Sequence, residues 1–196
     1  MGLDHNLPDL GSLFKNFEKH ITLLDEEKNQ IASHLNLIKV IRNQEIISQG
    51  CTVNQIFYVV SGALRAFHLD KKGKESTVMF AINDWWITDM NGFANQEKAQ
   101  VSLVALEDAK VVSIQYSAME ELLNEIPKLE RFFRILFQRA YIREQSRMLR
   151  QLSMDVATRY HSFVKKYPNI IAAISQKQMA SYLGVTPEFL SQVKNK

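Results

Sequence analysis

The segment 175–194, near the C-terminus, limits most strongly what this chain can fold into. Ser175 followed by Gln178 has the spacing of a capping box, in which the two side chains bind free backbone amides of a helix's first turn. Gly184 supplies the left-handed backbone that ends such a helix. Thr186-Pro187 begins a second helix, because threonine is a good N-cap and proline needs no N–H donor in the first turn. Two short helices joined by a tight turn predict a helix-turn-helix, whose second helix can enter the major groove of DNA.

The second of these helices has a polar side and an apolar side. The polar side consists of Glu188, Ser191, Gln192 and Lys194, and the apolar side of Phe189, Leu190 and Val193. We expect the apolar side to be buried and the polar side to form hydrogen bonds with a partner. Short amphipathic helices with a glycine turn also occur in many helical proteins that do not bind DNA, so the spacing alone leaves both interpretations open.

Charge is distributed unevenly along the chain and favours the DNA-binding interpretation. Residues 1–130 contain 12 Lys and Arg against 18 Asp and Glu, whereas residues 131–196 contain 12 Lys and Arg against 3 Asp and Glu. The formal net charge of +3 therefore hides an acidic segment followed by a basic one. A basic segment that contains a helix-turn-helix is suited to bind a polyanion.

The first part of the chain changes from a helical to a β-rich pattern. Apolar residues recur at helical steps over residues 1–40, and we expect the second helix there to continue through Leu35. From Lys39 to Gln115, short β-rich runs alternate with turn residues, and Asp70–Lys74 has the composition of a hairpin loop. This pattern predicts an antiparallel sandwich or roll. Its interior could hold a small ligand or be filled by side chains.

Residues 118–152 predict a long helix with two apolar seams. The first seam is Leu129, Phe133, Leu136 and Ala140, and the second, on a nearly opposite face, is Ile135, Ile142 and Leu149. A helix with two apolar faces needs two partners, which we expect to be the chain's own roll and the same helix of a second subunit. The sequence leaves open which face pairs with which. A homodimer would place two helix-turn-helices on adjacent half-sites. Residues 153–174 predict one more helix, which stops near Pro168.

Several classes of protein are excluded by what the chain lacks. No run approaches the ~18 apolar residues of a membrane span, and no secretory signal is visible, so we expect a cytoplasmic protein without a membrane partner. Cys51 is the single cysteine, which fits a reducing compartment. No catalytic grouping of Ser, Cys and His, no paired carboxylates and no glycine-rich phosphate loop stand out. We therefore expect a protein that is not an enzyme and has no catalytic residues.

Metal and haem sites also lack a signal in the sequence. His5, His20 and His34 have no ligand-like spacing, and we expect them to be solvated or capping residues. His68 and His161 lie in unrelated segments. One cysteine cannot hold an iron–sulfur cluster, which needs several. We therefore expect no metal, haem or iron–sulfur cofactor.

Five segments, spread over most of the chain, resemble the CRP/FNR family of bacterial transcription regulators. They are Gly50, Tyr58–Gly62, Asp70–Glu75, Ala105–Asp108 and Ile174–Gln192. Glu130–Arg134 and Ser181–Glu188 resemble the branch found in Bacteroidetes-like bacteria. The resemblance implies an α+β chain of three parts. These are helices and an effector-sensing, cyclic nucleotide-binding-like β-roll (jelly roll) over 1–117, a dimerisation helix over 118–152 and a DNA-binding helix-turn-helix over 153–196.

The family's ligand pocket departs from its pattern in this chain. Relatives carry a Gly-Glu pair for the ribose and an Arg-Ser pair for the phosphate, whereas this chain has Thr88-Asp89 and Ala99-Gln100 at the matching positions. The candidate pocket residues are Thr88, Asp89, Met90, Lys98, Ala99 and Gln100. Because a buried phosphate needs a cation to offset its desolvation, we predict weak or absent binding of cAMP. A different effector, or none, is left open.

The resemblance also implies which residues contact DNA. The candidate contact residues are Gln176, Lys177, Thr186, Pro187, Glu188, Ser191, Gln192 and Lys194. Pro187, Glu188 and Gln192 are expected to face bases, and glutamine pairs best with adenine. The implied partners are DNA, a second copy of the chain and RNA polymerase. The alternative is a nucleotide- or metabolite-binding module whose helical tail contacts protein instead of DNA.

Overall fold

The computed structural model describes residues 7–194, and the chain is an α+β protein as the sequence predicts. His5 and the last two residues lie outside the described residues. The helices are α1 (Leu7–Glu18), α2 (Asp25–Ser33), α3 (Met90–Asn95), α4 (Tyr116–Glu125), α5 (Lys128–Ser153), α6 (Val156–Lys166), α7 (Pro168–Ala173), α8 (Gln176–Leu183) and α9 (Pro187–Lys194). The strands are β1 (Leu35–Val40), β2 (Glu45–Ile47), β3 (Gln55–Ser61), β4 (Ala63–Leu69), β5 (Glu75–Ile82), β6 (Trp86–Ile87), β7 (Ser102–Ala105) and β8 (Ala109–Gln115). Across residues 7–194, no helix combines the length and the apolar character that crossing a bilayer requires.

The predicted antiparallel roll is confirmed. One four-stranded sheet has the order β1-β8-β3-β6 and the other β2-β7-β4-β5, with antiparallel pairing throughout. The core is built from inward-facing aliphatic residues such as Val59, Leu64, Leu103 and Val112, none of which is exposed to solvent. The hairpin loop after β4 also forms as expected, with Gly73 at a φ of 78°. The sheets thus enclose an apolar interior, and the remaining elements pack outside it.

The expectation that the second helix continues through Leu35 is wrong. Helix α2 ends at Ser33, and β1 begins at Leu35 and pairs with β8 along its whole length, from Leu35 opposite Ile114 to Val40 opposite Ala109. β1 is an edge strand, and most of its residues are half-buried or exposed. Its short apolar run is compatible with either periodicity, so the choice is made by pairing with a strand that is distant in sequence.

The predicted long helix is divided by a proline. Residues 116–125 form α4, and α5 begins only at Lys128, after Pro127. Proline lacks an N–H donor and disfavours helical backbone in the residue before it, here Ile126, whose φ and ψ of −124° and 74° are not helical. The predicted helix over 153–174 is likewise two helices, because α6 stops at Lys166 and Pro168 starts α7.

The C-terminal helices have a core of their own, which continues onto the roll. Met179, Ala180, Leu183 and Leu190 of α8 and α9 are buried, together with Phe163 of α6. The same cluster includes Ala63 and Phe80 of the second sheet and Leu106, which follows β7. The helix-turn-helix therefore packs directly against the roll of its own chain.

Candidate nucleic-acid interface and ligand cavity

The helix-turn-helix has the local geometry that the sequence predicts. The Ser175 hydroxyl accepts a hydrogen bond from the Gln178 amide at 3.2 Å, and the Gln178 side-chain oxygen accepts one from the Ser175 amide at 2.8 Å. Gly184 ends α8 in the left-handed conformation, with a φ of 74°. The Thr186 hydroxyl accepts a hydrogen bond from the Phe189 amide at 3.2 Å, as expected of an N-cap. Leu190, which is fully buried, fixes α9 on the rest of the unit.

Most of the predicted DNA-contact residues are accessible to solvent. The exposed ones are Gln176, Lys177, Thr186, Glu188, Gln192 and Lys194, and the half-buried ones are Pro187 and Ser191. Glu188 and Gln192 lie four residues apart, so they share one side of α9. Two of the set also make contacts within the domain, because the Gln176 side-chain amide donates to the Pro187 carbonyl at 3.1 Å and the Lys194 ammonium lies 5.6 Å from the centre of the Tyr160 ring.

The expectation that Phe189 lies on the buried side of α9 is wrong. Its side chain is 47% exposed, whereas Leu190 is buried and Val193 is half-buried. The helix has only eight residues and packs through a narrow stripe, so an aromatic residue beside that stripe stays in solvent. Phe189 thus adds an apolar group to the face that carries Glu188 and Gln192, and nothing in the sequence pattern distinguishes it from a core residue.

A cavity of about 790 Å³ lies between the roll and α5. Its lining is mainly apolar and aromatic, with Trp85 and Trp86 from the roll and Phe132 and Phe137 from α5. Sites for small molecules in proteins have volumes of roughly 300–1,000 Å³ and this kind of lining. The cavity is therefore large enough for a small-molecule ligand. About a third of its lining residues come from the long helix, which the sequence did not assign to the pocket.

Four of the six predicted pocket residues line this cavity. Thr88, Asp89, Met90 and Gln100 line the cavity. Lys98 and Ala99 are outside its lining. Lys98 is exposed and forms an isolated bridge with Thr52, and Ala99 is buried in the hydrophobic core. The Thr88 hydroxyl donates to the Gln55 carbonyl at 2.8 Å.

Asp89 occupies the point where backbone amides converge. Its carboxylate accepts hydrogen bonds from the amides of Gly92 at 3.0 Å, Gln100 at 2.5 Å and Val101 at 3.0 Å, and the residue is buried. These amides would otherwise be available to an anionic ligand. A ligand phosphate placed there would find these amides already bonded to Asp89 and would be repelled by the negative charge of the carboxylate. The arrangement therefore opposes phosphate binding at this end of the cavity.

The end of the cavity formed by α5 and by the turn after α1 carries charged side chains. Lys19 pairs with Asp84, and the Arg139 guanidinium donates to His20 Nε2 at 3.0 Å. Burial, together with the Arg139 charge, lowers the pKa of His20. The guanidinium of Arg143 lies 4.8 Å from the centre of the Trp85 ring, a cation–π contact. The cations at this end therefore contact aromatic rings and other side chains of the protein.

Comparison with known proteins agrees with this geometry. Residues 37–125 match the family model of the cyclic nucleotide-binding domain. The chain is 26% identical over 164 residues to the transcriptional activator protein Anr of Pseudomonas aeruginosa, covering 78% of this chain and 66% of that relative, just under two thirds of its length. The chain is thus similar to Anr over most of its length, and the family model covers a little under half of it.

Solved structures share the fold described above across most of the chain. FixK2 from Bradyrhizobium japonicum superposes with a TM-score of 0.72 at 17% identity, covering 82% of this chain and 83% of FixK2. A regulator of the CRP/FNR family from Eubacterium rectale gives a TM-score of 0.70 at 17% identity, covering 88% of this chain and 82% of that one. Two of the relatives carry the names of regulators, a transcriptional activator protein and an anaerobic regulatory protein.

Proposed function

We propose that this chain belongs to the CRP/FNR family and regulates transcription by binding DNA as a homodimer through α8 and α9. The observation that supports this most strongly is the exposed side of α9, where Glu188 and Gln192 project into solvent from a helix held by the buried Leu190. Phe189 adds an apolar group that can contact a thymine methyl. Lys177 is exposed in the first turn of α8, which in a helix-turn-helix crosses the phosphate backbone.

The homodimer is supported by the outward face of α5. Ile142 and Leu149, of the second apolar seam, are each 58% exposed, and Leu152 is 80% exposed. The first seam faces the chain's own roll instead, because Leu129 and Phe133 are buried there. An apolar stripe of this length on a helix is suited to pack against the same stripe of a second copy.

DNA binding is tested by selecting duplexes from a random library with the purified chain and measuring affinity for the selected site at several salt concentrations. We expect a palindromic site with half-sites about 34 Å apart, and an affinity that falls steeply with salt because several phosphates are neutralised. Failure to enrich any sequence, or an affinity unchanged by salt, would contradict the proposal.

The ligand of the large cavity is proposed to be an uncharged, mainly apolar small molecule. The aromatic lining and the paired Asp89 carboxylate support such a ligand over a cyclic nucleotide. Calorimetry should detect no tight binding of cAMP. The neutral fluorophore N-phenyl-1-naphthylamine should brighten on binding, and Ala140→Phe, which fills the cavity from α5, should reduce that signal. Tight cAMP binding would contradict this part of the proposal and leave DNA binding untouched.

The remaining parts of the proposal follow from family membership. RNA polymerase is proposed as the protein partner, the cytoplasm as the location, and regulation without catalysis as the activity. Co-purification of the polymerase on DNA that carries the selected site tests the first of these.

A further inference from the structure

A second, smaller pocket lies where the long helix meets the helix-turn-helix unit. It has a volume of about 180 Å³ and is formed by the end of α5, by α6 and by the end of α8. We call it the junction pocket. Its charged lining residues are Arg143, Arg147, Arg150, Arg159 and Lys166. Rings of Phe163, Tyr167 and Tyr182 form the rest of its wall.

The positive charge of the junction pocket is only partly balanced by the protein. Glu144, on α5, pairs with Arg147 at 2.8 Å and lies 3.6 Å from Arg143. Asp155 is close enough to interact with Arg159, but its carboxylate caps α6 through the amide of Thr158 at 2.8 Å. Within residues 7–194, no carboxylate lines the pocket itself. The lining therefore carries an excess of positive charge.

Arg159 also has a hydrogen-bond donor without an acceptor. Its Nη1 donates to the Leu183 carbonyl at the end of α8, at 3.0 Å. Its Nε is buried and has no hydrogen-bond partner among the described residues. A buried donor without a partner is costly, so an acceptor supplied from outside the chain would remove that cost.

We propose that the junction pocket binds the phosphate group of a small phosphorylated molecule. Arginine suits this ligand because its planar guanidinium meets two phosphate oxygens at once. The volume is below that of sites for whole drug-sized molecules, which is roughly 300 Å³ or more, so the phosphate group is what enters the pocket. Cations from α5 and from α6 would then bind one anion, which would tie the long helix to the DNA-binding unit.

The backbone of DNA fits the junction pocket less well than a small molecule does. None of the lining residues lies on α9, the helix that presents Glu188 and Gln192. The phosphates of a duplex lie on a convex surface, which enters a pocket less readily than a free phosphate group does. The pocket also differs from the large cavity in chemistry, although Arg143 lines both.

The test is calorimetric titration of the full chain with pyrophosphate, at low salt and without DNA. Two pairs of variants are compared: Lys166→Gln with Lys165→Gln, and Arg150→Gln with Arg134→Gln. Lys165 and Arg134 are exposed residues of α6 and α5 that lie outside the lining. We expect one site per chain, weakened about tenfold or more by Lys166→Gln and by Arg150→Gln and unchanged by the two controls.

A second measurement, of melting temperature, separates a loss of binding from a loss of folding. Pyrophosphate should raise the melting temperature of the unmodified chain and of both controls, and should raise it less in the pocket variants, because only a ligand of the folded state stabilises it. Absence of saturable binding, or equal weakening in a variant and its control, would overturn the proposal. It would also be overturned if the pocket variants weakened DNA binding while the chain took up no pyrophosphate, and the pocket would then be assigned to the DNA backbone.

Discussion

The backbone amide of Thr77 donates a hydrogen bond to the hydroxyl of Ser181 at 2.8 Å, which joins the roll to the first helix of the helix-turn-helix. Thr77 lies on β5, the edge strand of the second sheet, and the Ser181 hydroxyl donates in turn to the Glu75 carbonyl at 2.9 Å. The buried Arg65 holds the same strand from the other side, through the Thr77 hydroxyl at 2.8 Å and the Glu75 carboxylate at 2.6 Å. The free edge of the sheet is thus closed by the helix-turn-helix of its own chain.

Ser181→Ala should weaken the contact between β5 and α8. The substitution leaves the buried Thr77 amide without its acceptor, which should lower the free energy of unfolding by about 1–3 kcal/mol. Urea unfolding measures the loss, and faster hydrogen exchange at the Thr77 amide would locate it. Ser33→Ala is the control, because the Ser33 hydroxyl bonds only to Gln30 and its neighbour His34 on the surface. Equal effects of the two substitutions would mean that the contact between Thr77 and Ser181 does not contribute to the free energy of unfolding.

Asp89→Asn should destabilise the roll. The Asn side chain has one acceptor oxygen in place of two, so at least one of the amides that now bind the carboxylate would lose its partner. Hydrogen bonds to a charged group contribute roughly 1.5–3 kcal/mol, and we expect a loss of about that size in urea unfolding. Asp70→Asn is a matched control, since the Asp70 carboxylate accepts hydrogen bonds from two backbone amides but lies half-buried in a hairpin loop. A larger effect at Asp70 than at Asp89 would contradict the assignment.

The stability of the chain should depend on pH through Asp84. Burial acts to raise the pKa of this carboxyl group, but hydrogen bonds from Lys19, Asn16 and Tyr58 outweigh it, and the pKa lies below its ordinary value. A folded-state pKa below the unfolded one stabilises the fold at pH values above the unfolded pKa of about 4. That stabilisation is lost as the pH falls through the folded pKa.

Asp84→Asn isolates this contribution without straining the backbone. Asp84 has a φ of 72°, a conformation that asparagine adopts more readily than most residues. We expect the variant to be less stable than the unmodified chain at pH 7 by about 1 kcal/mol or less, because solvent screens the half-exposed ion pair with Lys19. The difference should shrink towards pH 3. A difference that stays constant between pH 7 and pH 3 would show that the charge of Asp84 is not its cause.

Local signals predicted the parts of the fold whose geometry is local. The capping box of Ser175, the left-handed turn at Gly184 and the Asp70–Lys74 hairpin depend on neighbours in sequence, and all three form. The strand β1 and the exposed position of Phe189 were missed because each depends on what packs beside it. The break before α5 had a visible signal in Pro127, which a longer periodic pattern concealed.

The sites could be predicted only in part, for a similar reason. The lack of a positive charge at Thr88-Asp89 and Ala99-Gln100 is a property of the sequence. The role of Asp89 as acceptor for Gln100 and Val101 depends on a loop that returns to the start of α3. Arg143, Arg147 and Arg150 continue the spacing of the first apolar seam of α5, which gives them no distinctive signal in the sequence. The contacts of Arg143 with Trp85 and of Arg147 with Tyr182 depend on how α5 packs against the roll and α8. The junction pocket that all three line likewise forms only when α5 lies against α6 and α8.

Leu149→Glu should convert the proposed dimer into monomers. Leu149 is 58% exposed on the outward face of α5, and in a dimer it would be buried against a second copy, where an unpaired carboxylate is costly. Sedimentation velocity should show the loss of the dimer with an unchanged circular dichroism spectrum. Ile41→Glu, at an aliphatic residue that is 67% exposed on the roll, is the control and should leave the dimer intact. Dimers in both variants would move the interface away from this face.

Gln192→Ala and Lys177→Ala should weaken DNA binding in different ways. Gln192 lies on the exposed side of α9, so its loss should relax the preference at one base pair by about 1–3 kcal/mol and leave the salt dependence unchanged. Lys177, in the first turn of α8, should contact a phosphate, so its loss should weaken all sequences alike and reduce the salt slope by about one. Fluorescence anisotropy with the selected duplex and single-base variants at three salt concentrations separates the two effects. If both substitutions lowered affinity uniformly, Gln192 would be a backbone contact, and α9 would enter the groove through a different side.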